Sequence, residues 1–327
     1  MSASSFTADF HTVTQGKYSR KIAYSRIGEI SASNFFICLP GLLETRESFD
    51  GLFSLVENYS DACWLSIDYC GRGLSDPLSN DESYTISQYV KDVENLIEKT
   101  VLQPATHAQK KIHLIGTSMG GILAMHMANR NRFPLHGIIL NDIGLYLQWN
   151  ALLSLYQHIK LTEDEINQLV VDPRAIEAVQ KRTHFDLPYD FDLTGMRFEN
   201  LLKHHGGQVV LLHNSHSFIC PTSIAIHSKT LLNHLVVWSE ENHGHPVKWN
   251  KIWVNKLAQC TQLVSKPFDV MMQDPTALFL AEQEAIDIRS NAERVLLITK
   301  HAFLEQPIQN WVLGFLNKLR CWRRRFS

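Results

Sequence analysis

From Ile22 to Leu140 the chain alternates short β-rich apolar runs with segments of helical spacing, and this alternation limits the fold more than any other feature. "KIAYSRIG", "NFFICLPG", "ACWLSIDYCG", "KIHLIG" and "LHGIILND" read as strands. Between them, "SYTISQYVKDVENLIEKTV" sets Ile86, Tyr89, Val90, Val93, Leu96 and Ile97 at helical spacing, and "GGILAMHMANR" reads as the next helix. Strands that are apolar throughout, with helices between them, predict a mostly parallel central sheet flanked by helices, the α/β class. The pattern changes after Asp142. Residues 146–205 carry helical segments, "ALLSLYQHIK" and "EDEINQLV", broken at "DLPYDFDLTG", and predict a helical cap inserted over the sheet. Strand-like runs return as "QVVLLHN", "HLVVWSE" and "ERVLLITK". The expected division is therefore a core in two parts, 1–145 and 206–327, the second with a C-terminal extension, around a cap at 146–205.

The balance of 31 Lys plus Arg against 33 Asp plus Glu argues against a nucleic-acid partner. No apolar run approaches the roughly 20 residues of a membrane span. The opening "MSASSFTADFHTV" lacks a basic region followed by an apolar stretch, so no secretory leader is expected. Cys38, Cys63, Cys70, Cys220, Cys260 and Cys321 are scattered without a CxxC pair, which predicts reduced thiols in a cytoplasmic protein. Histidines crowd residues 204–245, but their spacing matches no zinc signature, and neither metal nor cofactor is expected. The basic "RCWRRRFS" at the end reads as a solvated tail, with a membrane-surface contact as the alternative, and the sequence carries no signal for oligomeric state.

The chemistry gathers at one turn. Gly116-Thr117-Ser118-Met119-Gly120 is a G-x-S-x-G pattern that directly follows a predicted strand and precedes a predicted helix. A reversal that tight leaves no room for side chains beside the serine, and it lifts the Ser118 hydroxyl to the top of the sheet. The helix N-terminus aims free N–H groups at the same spot. Ser118 is thus the expected nucleophile, and the Met119 amide half of an oxyanion hole. A dinucleotide-binding turn would need the order G-x-G-x-x-G, which "GTSMGG" lacks. The other oxyanion donor is expected from the loop in "FFICLPGLLETRESF", where Pro40-Gly41 brings the Leu42 amide close. "DYCGRGLSDP", with Asp68, Gly71, Arg72, Gly73 and Ser75, reads as scaffold.

Taken together, L-P-G, D-x-x-G-R-G-x-S and G-x-S-M-G-G, in that order and spacing over residues 20–145, resemble the α/β-hydrolase superfamily. The resemblance implies an eight-stranded, mostly parallel sheet, a helical cap and a serine–acid–histidine triad in that chain order. The usual position of the acid, after the seventh strand, is vacant: "VVLLHNSHSFICP" puts Ser217 there, and the alternative "LVVWSEENHGHP" puts Asn242 there. "IILNDIG" is similar to the end of strand six in a subgroup whose acid has moved to that strand, which implies Asp142 as the triad acid. For the base, His245 in "ENHGHPVKW" resembles the family's loop after strand eight and lies 28 residues beyond Ser217. His301 in "VLLITKHAFLEQPIQNWVLGFL" resembles the family's last strand and closing helix and stays as the alternative; His243 is a third. The expectation is a cofactor-independent serine hydrolase acting on a small acyl compound, a carboxylic ester or thioester. A C–C bond hydrolase of a diketone-like acid and a non-catalytic binding protein on the same fold are the rival expectations.

Overall fold

The computed structural model describes residues 6–56, 61–79, 81–103, 110–151, 195–243 and 245–262. The chain divides into two compact units, Met1–Ala277 and Leu278–Ser327, and every described residue lies in the first.

Eight described strands form one sheet. They are β1 (Ala8–Gln15), β2 (Tyr18–Ile27), β3 (Asn34–Leu39), β4 (Ala62–Ile67), β5 (Lys111–Thr117), β6 (Leu135–Asn141), β9 (Gln208–His216) and β10 (Leu235–His243). They stand in the order β1-β2-β4-β3-β5-β6-β9-β10. β1 pairs antiparallel with β2, and β2 with β4; every other pairing in this sheet is parallel. The parallel strands read as unbroken apolar runs because both of their faces are covered. In β3, Phe35, Ile37 and Leu39 enter one apolar cluster, while Phe36 and Cys38 enter the cluster on the other face. Phe36 also stacks on Trp64 of β4 at 3.8 Å and on His113 of β5 at 4.9 Å, a ladder of rings across three strands in register.

The described helices are α1 (Asp50–Val56), α2 (Ile86–Ile97), α3 (Met119–Arg130), α4 (Glu199–Leu202), α5 (Thr222–Leu231) and α6 (Lys251–Gln262). α2 buries the six apolar positions named from its spacing, and Thr85 caps its N-terminus by accepting the Gln88 amide at 3.1 Å.

Two elements depart from the expectation. β1 lies outside the predicted strands: "ADFHTVTQ" is mostly polar, and as an edge strand it buries only Val13 fully. The spacing predicts helix from 146 onward. Instead Tyr146–Gln148 (β7) and Gly195–Arg197 (β8) pair antiparallel and hold the two ends of the intervening chain together. Residues 152–194, with "EDEINQLV" and nearly all of "ALLSLYQHIK", lie outside the described residues, as do "ERVLLITK" and His301. Among the described residues no helix is long and apolar enough to cross a membrane.

Candidate active site

Ser118 stands between β5 and α3 with φ 50° and ψ −114°, a conformation that L-residues rarely adopt. Its neighbours explain the two motif glycines. A Cβ on Gly116 would lie 2.4 Å from the Gly120 backbone, and one on Gly120 would lie 2.0 Å from the Leu39 carbonyl oxygen. The serine amide donates to the Asn141 carbonyl at 3.1 Å, and its carbonyl accepts the Gly121 amide at 2.9 Å as α3 begins. The elbow is thus tied to the end of β6. Ser118 remains partly exposed, while Met119 beside it is buried.

Asp142 follows β6 directly, at φ 56°, a left-handed position that Asp tolerates better than most residues. Its amide donates to the Leu212 carbonyl of β9 at 2.8 Å, and its side chain is fully buried. Oδ1 accepts the Asn214 amide at 3.3 Å, and Oδ2 lies 2.8 Å from Nδ1 of His245. The His245 side chain is about one-seventh exposed, at 14%. Asn141, one residue earlier, acts on the same loop: its side chain donates to the Val247 carbonyl and accepts the Val247 amide, both at 3.0 Å. The pair Asn141-Asp142 therefore grips the histidine loop by its backbone and by its ring at once.

Ser217 stands where the family's acid usually falls. Its hydroxyl accepts the amides of Ile219 and Cys220 at 3.2 and 3.1 Å, closing a turn before α5. The other histidine named from sequence, His243, ends β10, and its side chain, like that of Asn242, lies outside the described set. Phe218, half-exposed, presents its ring edge to His245 with centroids 5.9 Å apart.

Leu42 is buried in the loop after β3, which runs against the elbow where Gly120 meets Leu39 and Pro40. Three side chains hold this loop. Tyr69 donates its hydroxyl to the Pro40 carbonyl at 2.9 Å. Arg72, fully buried, donates to the Gly41 carbonyl at 3.3 Å and to the Tyr89 hydroxyl at 3.1 Å. Glu44 accepts the Gly41 amide at 2.7 Å. Burial raises the Glu44 carboxyl above its ordinary pKa, against the Gly41 hydrogen bond and the charges of His245 and Arg72, which pull it down. The scaffold reading of "DYCGRGLSDP" fits the neighbours of Arg72, since Asp68 pairs with Arg46 at 2.6 Å and Ser75 bridges to the Ala23 amide at 2.8 Å. Arg72 itself reaches the site. Glu44, Asn141, Tyr69 and Phe218 also stand here; Asn141 lies within "IILNDIG" and Tyr69 within "DYCGRGLSDP", but the sequence alone gives none of the four a role.

Among the described residues, no group of three or more His, Cys, Asp or Glu side chains is arranged to hold a metal ion. The cysteines whose side chains are described, Cys38, Cys63, Cys70 and Cys220, are buried free thiols.

A mostly parallel sheet with a strained serine at the C-terminal end of a central strand, and an Asp–His contact beyond the next strand, is the arrangement of the α/β-hydrolase fold. The family model described as the alpha/beta hydrolase fold matches residues 34–179. A 3-hydroxybutyrate-oligomer hydrolase from Cupriavidus necator is 32% identical over 142 residues, 43% of this chain and 45% of the relative, so the chain matches less than half of that protein's length. Among solved structures, an alpha/beta hydrolase from Novosphingobium aromaticivorans aligns with TM-score 0.56 at 17% identity, over 79% of this chain and 99% of its own. A structure from work on carboxylesterases of Nitrososphaera gargenis aligns with TM-score 0.60 at 13% identity, over 78% and 100%. These likenesses show that the chain has the α/β-hydrolase fold.

Proposed function

We propose that the protein is a serine hydrolase that cleaves a small carboxylic ester or thioester through an acyl-enzyme. The observation that carries this reading is the 2.8 Å contact between Asp142 and His245, with Asp142 at the C-terminal end of β6, the strand beside the one that ends in the Ser118 elbow. In this mechanism the Ser118 Oγ attacks the substrate carbonyl carbon, and its proton passes to Nε2 of His245. Asp142 keeps the other ring proton on Nδ1 and stabilises the imidazolium that forms. The carbonyl oxygen takes up the negative charge, facing the amides of Leu42 and Met119. When the tetrahedral adduct collapses, the C–O or C–S bond breaks and the leaving group takes the proton from His245. A water molecule then attacks the acyl-serine, giving its proton to the same ring, and Ser118 recovers a proton as the acid departs.

The relative that cleaves oligomers of 3-hydroxybutyrate suggests the acyl group: a short hydroxyacyl ester is the first substrate to try. The buried thiols fit a reducing, cytoplasmic setting. The test is turnover of p-nitrophenyl butyrate and of a 3-hydroxybutyrate trimer by wild type and Ser118→Ala. Release of p-nitrophenol or of monomer by wild type and not by the variant supports the reading. Equal, background release by both contradicts it and favours the non-catalytic binder.

A further inference from the structure

We propose that Glu44 is a positioning residue of the oxyanion loop, its carboxyl closing on the Gly41 amide at 2.7 Å and so fixing the direction of the Leu42 amide. The inference rests on the hydrolase reading above and adds to it the device that shapes one of its two oxyanion donors.

Two adjacent peptide planes transmit the constraint. A trans peptide is planar, so its carbonyl and its N–H point in opposite directions, and holding one aims the other. In the Pro40–Gly41 peptide, the carbonyl is held by the Tyr69 hydroxyl and the N–H by Glu44. In the Gly41–Leu42 peptide, the carbonyl accepts from Arg72 and from the Glu44 amide, both at 3.3 Å, so the Leu42 N–H is turned to the opposite side. Gly41, between these planes, has the freest backbone of any residue type. With the first plane loose, rotation at Gly41 would swing the second. Glu44 acts on Gly41 with both its backbone and its side chain. The fit is close: a Cβ on Gly41 would sit 3.0 Å from the Glu44 carboxylate oxygen. The Glu44 carboxyl also hydrogen-bonds Ser48 of the short helical turn Arg46–Phe49, so the same side chain ties the Gly41 amide to that turn.

The requirement is an acceptor at the reach of a glutamate side chain, and this sets the test. Wild type, Glu44→Ala, Glu44→Asp and Glu44→Gln are compared for kcat and KM on p-nitrophenyl butyrate, for inhibition by an alkyl trifluoromethyl ketone, and for melting temperature. The ketone forms a tetrahedral oxyanion on the serine, so its affinity reads the oxyanion hole directly. Loss of the clamp should cost about 10- to 100-fold, the scale of a small misplacement of a catalytic donor. Glu44→Ala and Glu44→Asp should lose kcat by that factor with KM nearly unchanged, and lose ketone affinity in step. Glu44→Gln keeps an acceptor at the same reach and should stay close to wild type. Full kcat in Glu44→Ala or Glu44→Asp, a loss in Glu44→Gln equal to that in Glu44→Ala, or a fall in kcat with ketone affinity intact would overturn the inference alone. If Glu44→Ala does not fold, the Asp and Gln pair decides in the same way. A wild type that neither hydrolyses the ester nor binds the ketone would overturn the hydrolase reading, and this inference with it.

Discussion

Replacing Asp142 with Asn removes one charge and almost no volume, and the surrounding hydrogen bonds dictate the outcome. Oδ1 of Asp142 accepts the Asn214 amide, and Oδ2 faces Nδ1 of His245. An asparagine has one acceptor oxygen for these two donors. If its oxygen stays with the Asn214 amide, its NH2 group points at Nδ1 and forces the ring proton to Nε2, where His245 cannot take the serine proton. If it turns over, its NH2 meets the Asn214 N–H, and a buried donor is left unmet at a cost of about 1–3 kcal/mol. The productive tautomer is therefore disfavoured by that amount. Loss of the charge-assisted bond to the imidazolium adds about 1.5–3 kcal/mol. Together this is about 2.5–6 kcal/mol, or roughly 10²- to 10⁴-fold in turnover at 1.36 kcal/mol per decade. The assay is kcat/KM on p-nitrophenyl butyrate, with circular dichroism and a melting curve to show that the variant folds. A folded Asp142→Asn variant within about fivefold of wild type would rule out this role for Asp142, because the wrong tautomer alone costs more than that.

Asn141→Ala should lower turnover by loosening the histidine loop, and should cost roughly 2–4 kcal/mol of stability because the Val247 amide and carbonyl both lose a buried partner; urea unfolding and steady-state kinetics measure the two effects. Gly120→Ala should give insoluble or inactive protein, since the added carbon would lie 2.0 Å from the Leu39 carbonyl, and activity with solubility in expression trials checks this. Burial lowers His113 and His126 each from 6.5 to about 4. Between pH 6.5 and 4 the unfolded chain binds protons that the folded chain refuses, so their contribution to stability should fall as pH drops through that window and stay level above it. His113→Phe keeps a ring stacked on Phe36 and removes one of these protons, so its melting temperature should fall less steeply with acid than that of wild type.

How far each element can be read from the sequence depends on where its signal resides. β3 to β6 stand out because both faces of each strand are buried, so each reads as an unbroken apolar run. β1 hides because its residues mostly meet solvent, and β7 and β8 because three-residue strands carry no period. The serine is legible because its signal is local: the two motif glycines are demanded by backbone approach within a few residues. The proposed partners of that serine carry no such local mark. Asp142 and His245 touch across more than a hundred positions, and family resemblance alone links them in the sequence. Asn141 and Glu44 act on backbone groups, and although Asn141 falls within "IILNDIG", nothing in the sequence tells an Asn or Glu that binds a peptide from one that does not. Ser217 shows the reverse case. Its position draws notice for the carboxylate missing there, while the structure gives its hydroxyl the ordinary task of closing a turn.

The proposed chemistry depends above all on Ser118 being an activated nucleophile served by His245. Incubation with a fluorophosphonate, followed by intact mass and peptide mapping of the adduct, measures this without knowledge of the substrate. One adduct per chain is predicted, located on Ser118, absent in Ser118→Ala and formed far more slowly in His245→Ala. Stoichiometric labelling at another residue, labelling of His245→Ala at the wild-type rate, or no adduct on a folded wild-type protein would contradict it.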